Sequence, residues 1–254
     1  MDKRRRLGFR LLGAAGVLAF AGMSAGAEVK MTEHVFKGQV VTEVTMKYMV
    51  HTPADYEKDT ARRWPMILSL HGAGERGEDL QRVKIHGVAK IAEQTPDFPF
   101  IVVSPLCPAE KWWEPEPLAA LLDEVEKKWR VDKDRIYVTG LSMGGFGTWG
   151  LAIQYPDRFA AIAPICGGGN PLLAERIKHV PVWVFHGDDD KVVPIVKSQE
   201  MVDALKRAGS YVKFTVYRGV GHDSWTETYK NPELYEWFLK QKRVATAAKP
   251  EAGK

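Results

Sequence analysis

Arg135-Ile136-Tyr137-Val138-Thr139-Gly140-Leu141-Ser142-Met143-Gly144-Gly145 is the stretch on which the reading of the fold turns. Residues 135 to 139 form a short run rich in β-branched and aromatic side chains, as a buried strand requires, and a helix is expected from just after Ser142 to near Pro156. Ser142 stands between them in Gly-x-Ser-x-Gly. So sharp a strand-to-helix turn needs neighbours without side chains, because its backbone is strained and the strand and helix pack closely around it. The turn lifts the hydroxyl above the sheet at a helix N-terminus, where developing negative charge is favoured. The same five residues also occur by chance as a tight turn. The strand before and the helix after make Ser142 the candidate nucleophile.

Working outward, the same rhythm repeats. Apolar runs recur at Met66 to Leu70, Phe100 to Val103, Ala160 to Ile165, Val182 to Phe185 and Val212 to Tyr217, each too short for a helix and suited to a strand buried on both faces. After Pro117, which fits a first helical position, Leu118, Leu121, Leu122, Val125 and Trp129 share one helical face. Further helices are expected over Ser198 to Ala208, ended by Gly209, and from Asn231-Pro232 onward, burying Leu234, Trp237 and Phe238. Val40 to Val50 reads as an edge strand or hairpin, and Pro53-Ala54-Asp55 as a turn. Strands alternating with helices predict an α/β fold with a mainly parallel sheet.

The chain has 254 residues, 45% hydrophobic and 27% charged, which suits one sizeable globular domain. Lys3, Arg4, Arg5 and Arg6 precede a small and apolar run from Leu11 that ends in Ala25-Gly26-Ala27, the layout of a cleaved secretory signal. An uncleaved anchor or a buried first helix competes with this reading, but the run is rich in Gly and Ala and barely long enough to span a bilayer. The paired arginines also resemble a twin-arginine export signal. The expected division is a signal over 1–27, a domain over 28–243 and a frayed tail over 244–254, in a secreted or periplasmic protein. Removing 1–27 takes away five positive charges and one negative, and brings the formal net charge from +4 to zero. The mature chain then has no electrostatic footprint for nucleic acid or an anionic membrane.

A serine hydroxyl needs a base to act as a nucleophile at neutral pH. Of seven histidines, His71 and His186 precede Gly at strand ends and read as loop-orienting, while His34, His51, His86 and His179 read as surface positions. His222 lies in Gly219-Val220-Gly221-His222-Asp223-Ser224-Trp225, a glycine-rich loop after the last strand, and is the candidate base. An acid must hold its imidazole in the right tautomer. His186-Gly187-Asp188-Asp189-Asp190-Lys191-Val192-Val193-Pro194 offers three, and spacing alone does not choose among them. Cys107 and Cys166 have no metal-ligand spacing, and nothing in the chain calls for a metal or an organic cofactor.

These motifs, with Leu70-His71-Gly72-Ala73-Gly74-Glu75-Arg76-Gly77, Ser104-Pro105-Leu106-Cys107-Pro108 and Pro164-Ile165-Cys166-Gly167-Gly168-Gly169, resemble a bacterial carboxylesterase and phospholipase-like branch of the α/β-hydrolases. That branch is related to polyhydroxybutyrate depolymerases and feruloyl esterases and, more distantly, to prolyl oligopeptidase catalytic domains. The resemblance covers almost all of Pro65 to Lys240. It implies an α/β-hydrolase fold with helices on both sheet faces and no large cap domain. It also implies serine chemistry on carboxylic esters, with His-Gly-x-x-Asp-x-x-Val-Pro selecting Asp190 as the acid and the backbone N–H groups of Ala73 and Met143 as oxyanion donors. Trp112, Trp113 and Trp225 are candidates for substrate contact, the first two at a rim and the third bordering the pocket; for each, filling the core is the competing role.

The usual hydrolase strand order would set two strands between the loops of Cys107 and Cys166, too far apart for a disulfide. Two other functions compete: a peptidase of prolyl oligopeptidase type and a non-catalytic binder on the same scaffold. The stretch from Glu28 to Trp64 is shorter than a propeller blade of about 40 residues or more, and no later insertion builds a cap. The site is therefore expected to be open and to prefer small or polymeric esters over peptides.

Overall fold

Period-two alternation sorts the strand side chains into two separate cores. In the computed structural model, which describes residues 32–38 and 43–243, Met66, Leu68 and Leu70 of one strand join one core while Ile67 joins the other. Contacts divide the chain after Thr42. In the first unit, residues 32–38 are exposed and form no regular element. The second unit carries the sheet. The expected signal segment, the tail and part of the expected Val40 to Val50 strand lie outside the described residues.

Among the described residues seven strands, β1 (Tyr48–His51), β2 (Trp64–Leu70), β3 (Ile101–Pro105), β4 (Val131–Leu141), β5 (Ala161–Ile165), β6 (Val182–Gly187) and β7 (Val212–Tyr217), lie in the order β1-β3-β2-β4-β5-β6-β7. Only β1 runs antiparallel to its neighbour. All six expected central strands are present. The strand through Tyr137 extends from Val131 to Leu141, well beyond 135 to 139, and the expected edge strand is found at Tyr48–His51.

Among the described residues six helices flank the sheet: α1 (Gly87–Gln94), α2 (Pro115–Lys128), α3 (Met143–Gln154), α4 (Val196–Arg207), α5 (Trp225–Lys230) and α6 (Pro232–Lys240). Side chains of α2, α3 and α4 fill one core; those of α1, α5 and α6 fill the other. Pro115 opens α2, two residues before the proline expected there. Helix α4 begins at Val196 and stops where Gly209, at φ 76°, turns the chain and Ser210 N–H reaches back to Leu205 O at 2.9 Å. The Asn231 side chain caps α6 by accepting the Glu233 N–H at 3.0 Å. Trp237 is half-buried, whereas Leu234 and Phe238 are in the core. The short α1 and α5 have no clear sequence signature. Both start beside loops whose glycines and polar residues hide the helical period.

Among the described residues each crossover holds at most one α-helix with short 3₁₀ turns, so no cap domain covers the C-terminal edge of the sheet. None of these helices is long and apolar enough to cross a membrane. The loops after β2, β4, β5, β6 and β7 meet on that one edge, which is where an α/β sheet presents its ligands.

Candidate active site

At the end of β4 the chain turns into α3 through Ser142, which has φ 52° and ψ −116°. A non-glycine residue in this region costs on the order of 1–3 kcal/mol and persists only when its surroundings over-determine it. They do so here. A Cβ on Gly144 would lie 2.1 Å from the Leu70 carbonyl oxygen, and one on Gly145 would lie 2.4 Å from that of Ile165. Helix α3 therefore presses directly against β2 and β5. The Ser142 N–H donates to Ile165 O at 3.0 Å and also lies 3.3 Å from Cys166 Sγ.

Above this turn, His222 Nε2 is 2.9 Å from Ser142 Oγ, and His222 Nδ1 is 2.7 Å from Asp190 Oδ2. The three aspartates that the sequence left together are sorted by their contacts. Asp190 is buried and meets His222, while Asp188 Oδ1 accepts the Gly219 N–H at 2.6 Å and Asp189 pairs with Lys191 at the surface. Asp190 Oδ1 also accepts the N–H groups of Val192 and Val193, each at 2.9 Å. Burial pushes the Asp190 pKa up, but the hydrogen bonds from His222, Val193 and Val192 outweigh it and hold the carboxyl below its ordinary value. The carboxylate is thus kept ionised beside the imidazole.

The loop carrying His222 is tied to the loop carrying Asp190. Asp189 N–H donates to Val220 O at 3.1 Å, and a Cβ on Gly187 would meet Val220 O at 2.1 Å. Trp225 is the first residue of α5, with its ring edge-on to His222 at 5.2 Å between centroids.

Ala73 and Met143 are the first residues of a 3₁₀ turn (Ala73–Glu75) and of α3, positions whose N–H groups have no partner inside the helix. His71 anchors the first of these loops: its Nε2 accepts the Cys107 N–H at 3.0 Å and its Nδ1 donates to Gly72 O at 2.6 Å. Burial lowers the His71 pKa and keeps the ring neutral, as this bonding requires.

The two adjacent tryptophans part company. Trp112 is 58% exposed and edge-on to Phe146. Trp113, expected beside it at the rim, is instead 8% exposed, with its Nε1–H donating to His71 O at 3.0 Å. The bond to the main chain and packing on Gly147 draw Trp113 into the core. His51 and His86, read as surface residues, are half-buried; the His86 ring lies 5.7 Å from that of Trp225.

His186, Glu75 and Cys166 are three further parts of the site whose contacts sequence reasoning missed. His186 Nε2 lies 2.8 Å from Val193 O and 3.2 Å from Asp190 Oδ2, both acceptors only, so its proton sits on Nε2 and supports the acid. Its position four residues before Asp190 was the available signal. Cys107 and Cys166 are both free and buried, as the strand order implies. Cys166, Asp190 and His222 offer ligand atoms within 4.8 Å of one another. Two of them are already hydrogen-bonded together, and burial pushes the Cys166 thiol up to about 12, so this set is poorly suited to an ion.

A hydroxyl, an imidazole and a carboxylate in hydrogen-bonded series, raised at the C-terminal edge of a mainly parallel sheet, define an α/β-hydrolase. The model of the dienelactone hydrolase family matches residues 110–249, more than half of the sequence, and the chain belongs to that family. A thermostable esterase of solved structure superposes with a TM-score of 0.69 and 36% identity over 80% of this chain and 60% of its own. A secreted protein of Arthroderma benhamiae is 29% identical over 77% of this chain and 25% of its own length. A bifunctional acetylxylan esterase/xylanase of Neocallimastix patriciarum is 28% identical over 51% of this chain and 20% of its own. The chain thus spans a quarter or less of these two curated relatives.

Proposed function

We propose that the protein is a serine hydrolase that cleaves carboxylic esters through an acyl-enzyme on Ser142. The observation that carries this reading is the unbroken series from Asp190 through His222 to Ser142, at 2.7 and 2.9 Å. His222 takes the Ser142 proton as Oγ attacks the ester carbonyl, and returns it to the leaving alcohol. Asp190 fixes the tautomer with the proton on Nδ1 and stabilises the imidazolium that forms. The N–H groups of Ala73 and Met143 receive the oxyanion. Water then attacks the acyl-enzyme with His222 again as base, releasing the acid and freeing Ser142.

Trp112 and Trp225 flank the substrate. A small ester or an ester borne on a polymer suits the uncapped site, and the likeness to the bifunctional acetylxylan esterase/xylanase supports the second. Export by a cleaved signal over 1–27 is the accompanying proposal, supported by the basic cluster, the apolar run and Ala25-Gly26-Ala27.

The test compares kcat/KM on an ester and an anilide that share one acyl group. Amide cleavage needs a tightly held substrate and excluded water, which an open site supplies poorly. A strong preference for the ester is expected. Comparable values would favour a peptidase instead.

A further inference from the structure

Glu75 and Asp190 are the two buried carboxylates among the described residues, and the hydrolytic series uses only Asp190. A negative charge beside a site where an oxyanion forms is unfavourable unless other groups take it up. Glu75 Oε2 accepts the Gly72 N–H at 2.9 Å, and Oε1 faces His86 Nε2 at 3.9 Å. The Glu75 N–H reaches back to Gly72 O at 3.4 Å, closing the turn on itself. The Ala73 N–H shares a peptide plane with the Gly72 carbonyl, which the His71 ring and the Glu75 N–H hold, while the Glu75 carboxylate holds the preceding peptide by the Gly72 N–H, so the two planes on either side of Gly72 are fixed together. The fit leaves no slack: a Cβ on Gly72 would lie 2.8 Å from Leu141 Cδ1 and 3.2 Å from Glu75 Oε2.

The rest of the loop is pinned from outside. Arg76 Nε donates to Ala73 O at 3.1 Å, the Arg82 guanidinium donates to Gly74 O, and Gly77 N–H donates to Cys107 O at 3.1 Å. With these carbonyls held, and His71 on the Gly72 carbonyl, the Glu75 carboxylate is the side chain that holds the Gly72 N–H. His86 packs on Trp225, and Trp225 packs on His222, so the same carboxylate also links the loop to the histidine.

We propose that Glu75 is a positioning residue, whose carboxylate, held on Gly72 N–H and facing His86, aims the Ala73 N–H at the oxyanion. The proposal rests on the esterase reading of Ser142. Misaiming a group by about 1 Å costs on the order of 100-fold in rate. Glu75→Ala is therefore expected to lower kcat about 100-fold while KM stays within about twofold, the mark of an interaction made in the transition state. A trifluoromethyl ketone carrying the same acyl group forms an oxyanion adduct with serine, so its Ki should rise by the same factor. Glu75→Gln keeps an acceptor for Gly72 N–H and should recover most of the loss. Glu75→Asp, one methylene short, should fall between and serves where the alanine variant does not fold.

A wild-type-like kcat and Ki in Glu75→Asp or Glu75→Ala would overturn the proposal. So would a change confined to KM, or a glutamine variant as impaired as the alanine one. The Ser142→Ala variant, run beside these, separates the two ideas. If it remains active, the esterase reading itself fails; if it is dead while Glu75→Asp is unimpaired, only the role of Glu75 is rejected.

Discussion

The floor of the site and its rim are built on different principles. The floor is backbone held by crowding, where Gly144 and Gly145 admit α3 against β2 and β5, and Ser142 is kept at positive φ by that contact. The rim proposed for it is side chains with room to move, such as Trp112 at 58% exposure. The floor tolerates few sequences because its contacts are main chain to main chain. The rim can change without disturbing them, so the machinery of hydrolysis and the choice of substrate are separable in this fold. Trp112 and Trp113 show the boundary at its sharpest, since one peptide bond separates an exposed residue from a core one.

Substitutions on each side of this divide should have different signatures. On the floor, Asp190→Asn is expected to lower kcat by on the order of a thousandfold or more, because the imidazole loses its fixed tautomer. Asp188→Asn and Asp189→Asn, measured in the same ester assay, should stay near wild type; a larger loss in either would move the acid. At the rim, Trp112→Ala is expected to raise KM by several-fold to about tenfold with kcat and Tm little changed, as loss of uniform binding does. Trp113→Ala, by contrast, should cost about 3–5 kcal/mol of stability, read by denaturant melts, as truncation of a buried aromatic does. Equal effects of the two tryptophans on Tm would erase the distinction.

Buried titratable groups in the floor and elsewhere should also make stability sensitive to acid. Burial is the leading cause of the lowered pKa values of His51, His71 and His186, so the unfolded chain binds protons that the native one resists. Unfolding is then favoured progressively as pH falls below about 6.5, the ordinary histidine value. Asp190, with its native pKa lowered, adds stability that is present above about 3.9, its ordinary value when unfolded, and lost as pH falls through the native one. Tm should fall by several degrees between pH 7.5 and pH 5. A flat profile would mean that the buried rings are protonated in the native state.

Much of this division was legible in the sequence. The elbow at Ser142, the six central strands and the late His222 follow from glycine spacing and apolar period, both direct consequences of close packing. The choice of Asp190 was not readable from spacing, because three adjacent carboxylates differ only in where the loop folds. Trp113 was misplaced since an apolar ring beside Pro and Glu residues carries no mark of the carbonyl it will meet. The contact of Glu75 with Gly72 lay hidden in a loop read for its glycines. Long-range contacts of single side chains leave no local period, and that is the information sequence reading lacked.

The central claim is that ester turnover passes through a covalent bond to Ser142. Acid-quenching the protein early in its reaction with a p-nitrophenyl ester, followed by intact and peptide mass analysis, tests it most directly. The account predicts a single added acyl group on the peptide containing Ser142, absent from Ser142→Ala, which should also lose all but a trace of its turnover. An adduct on another residue, or full turnover by Ser142→Ala, would contradict it.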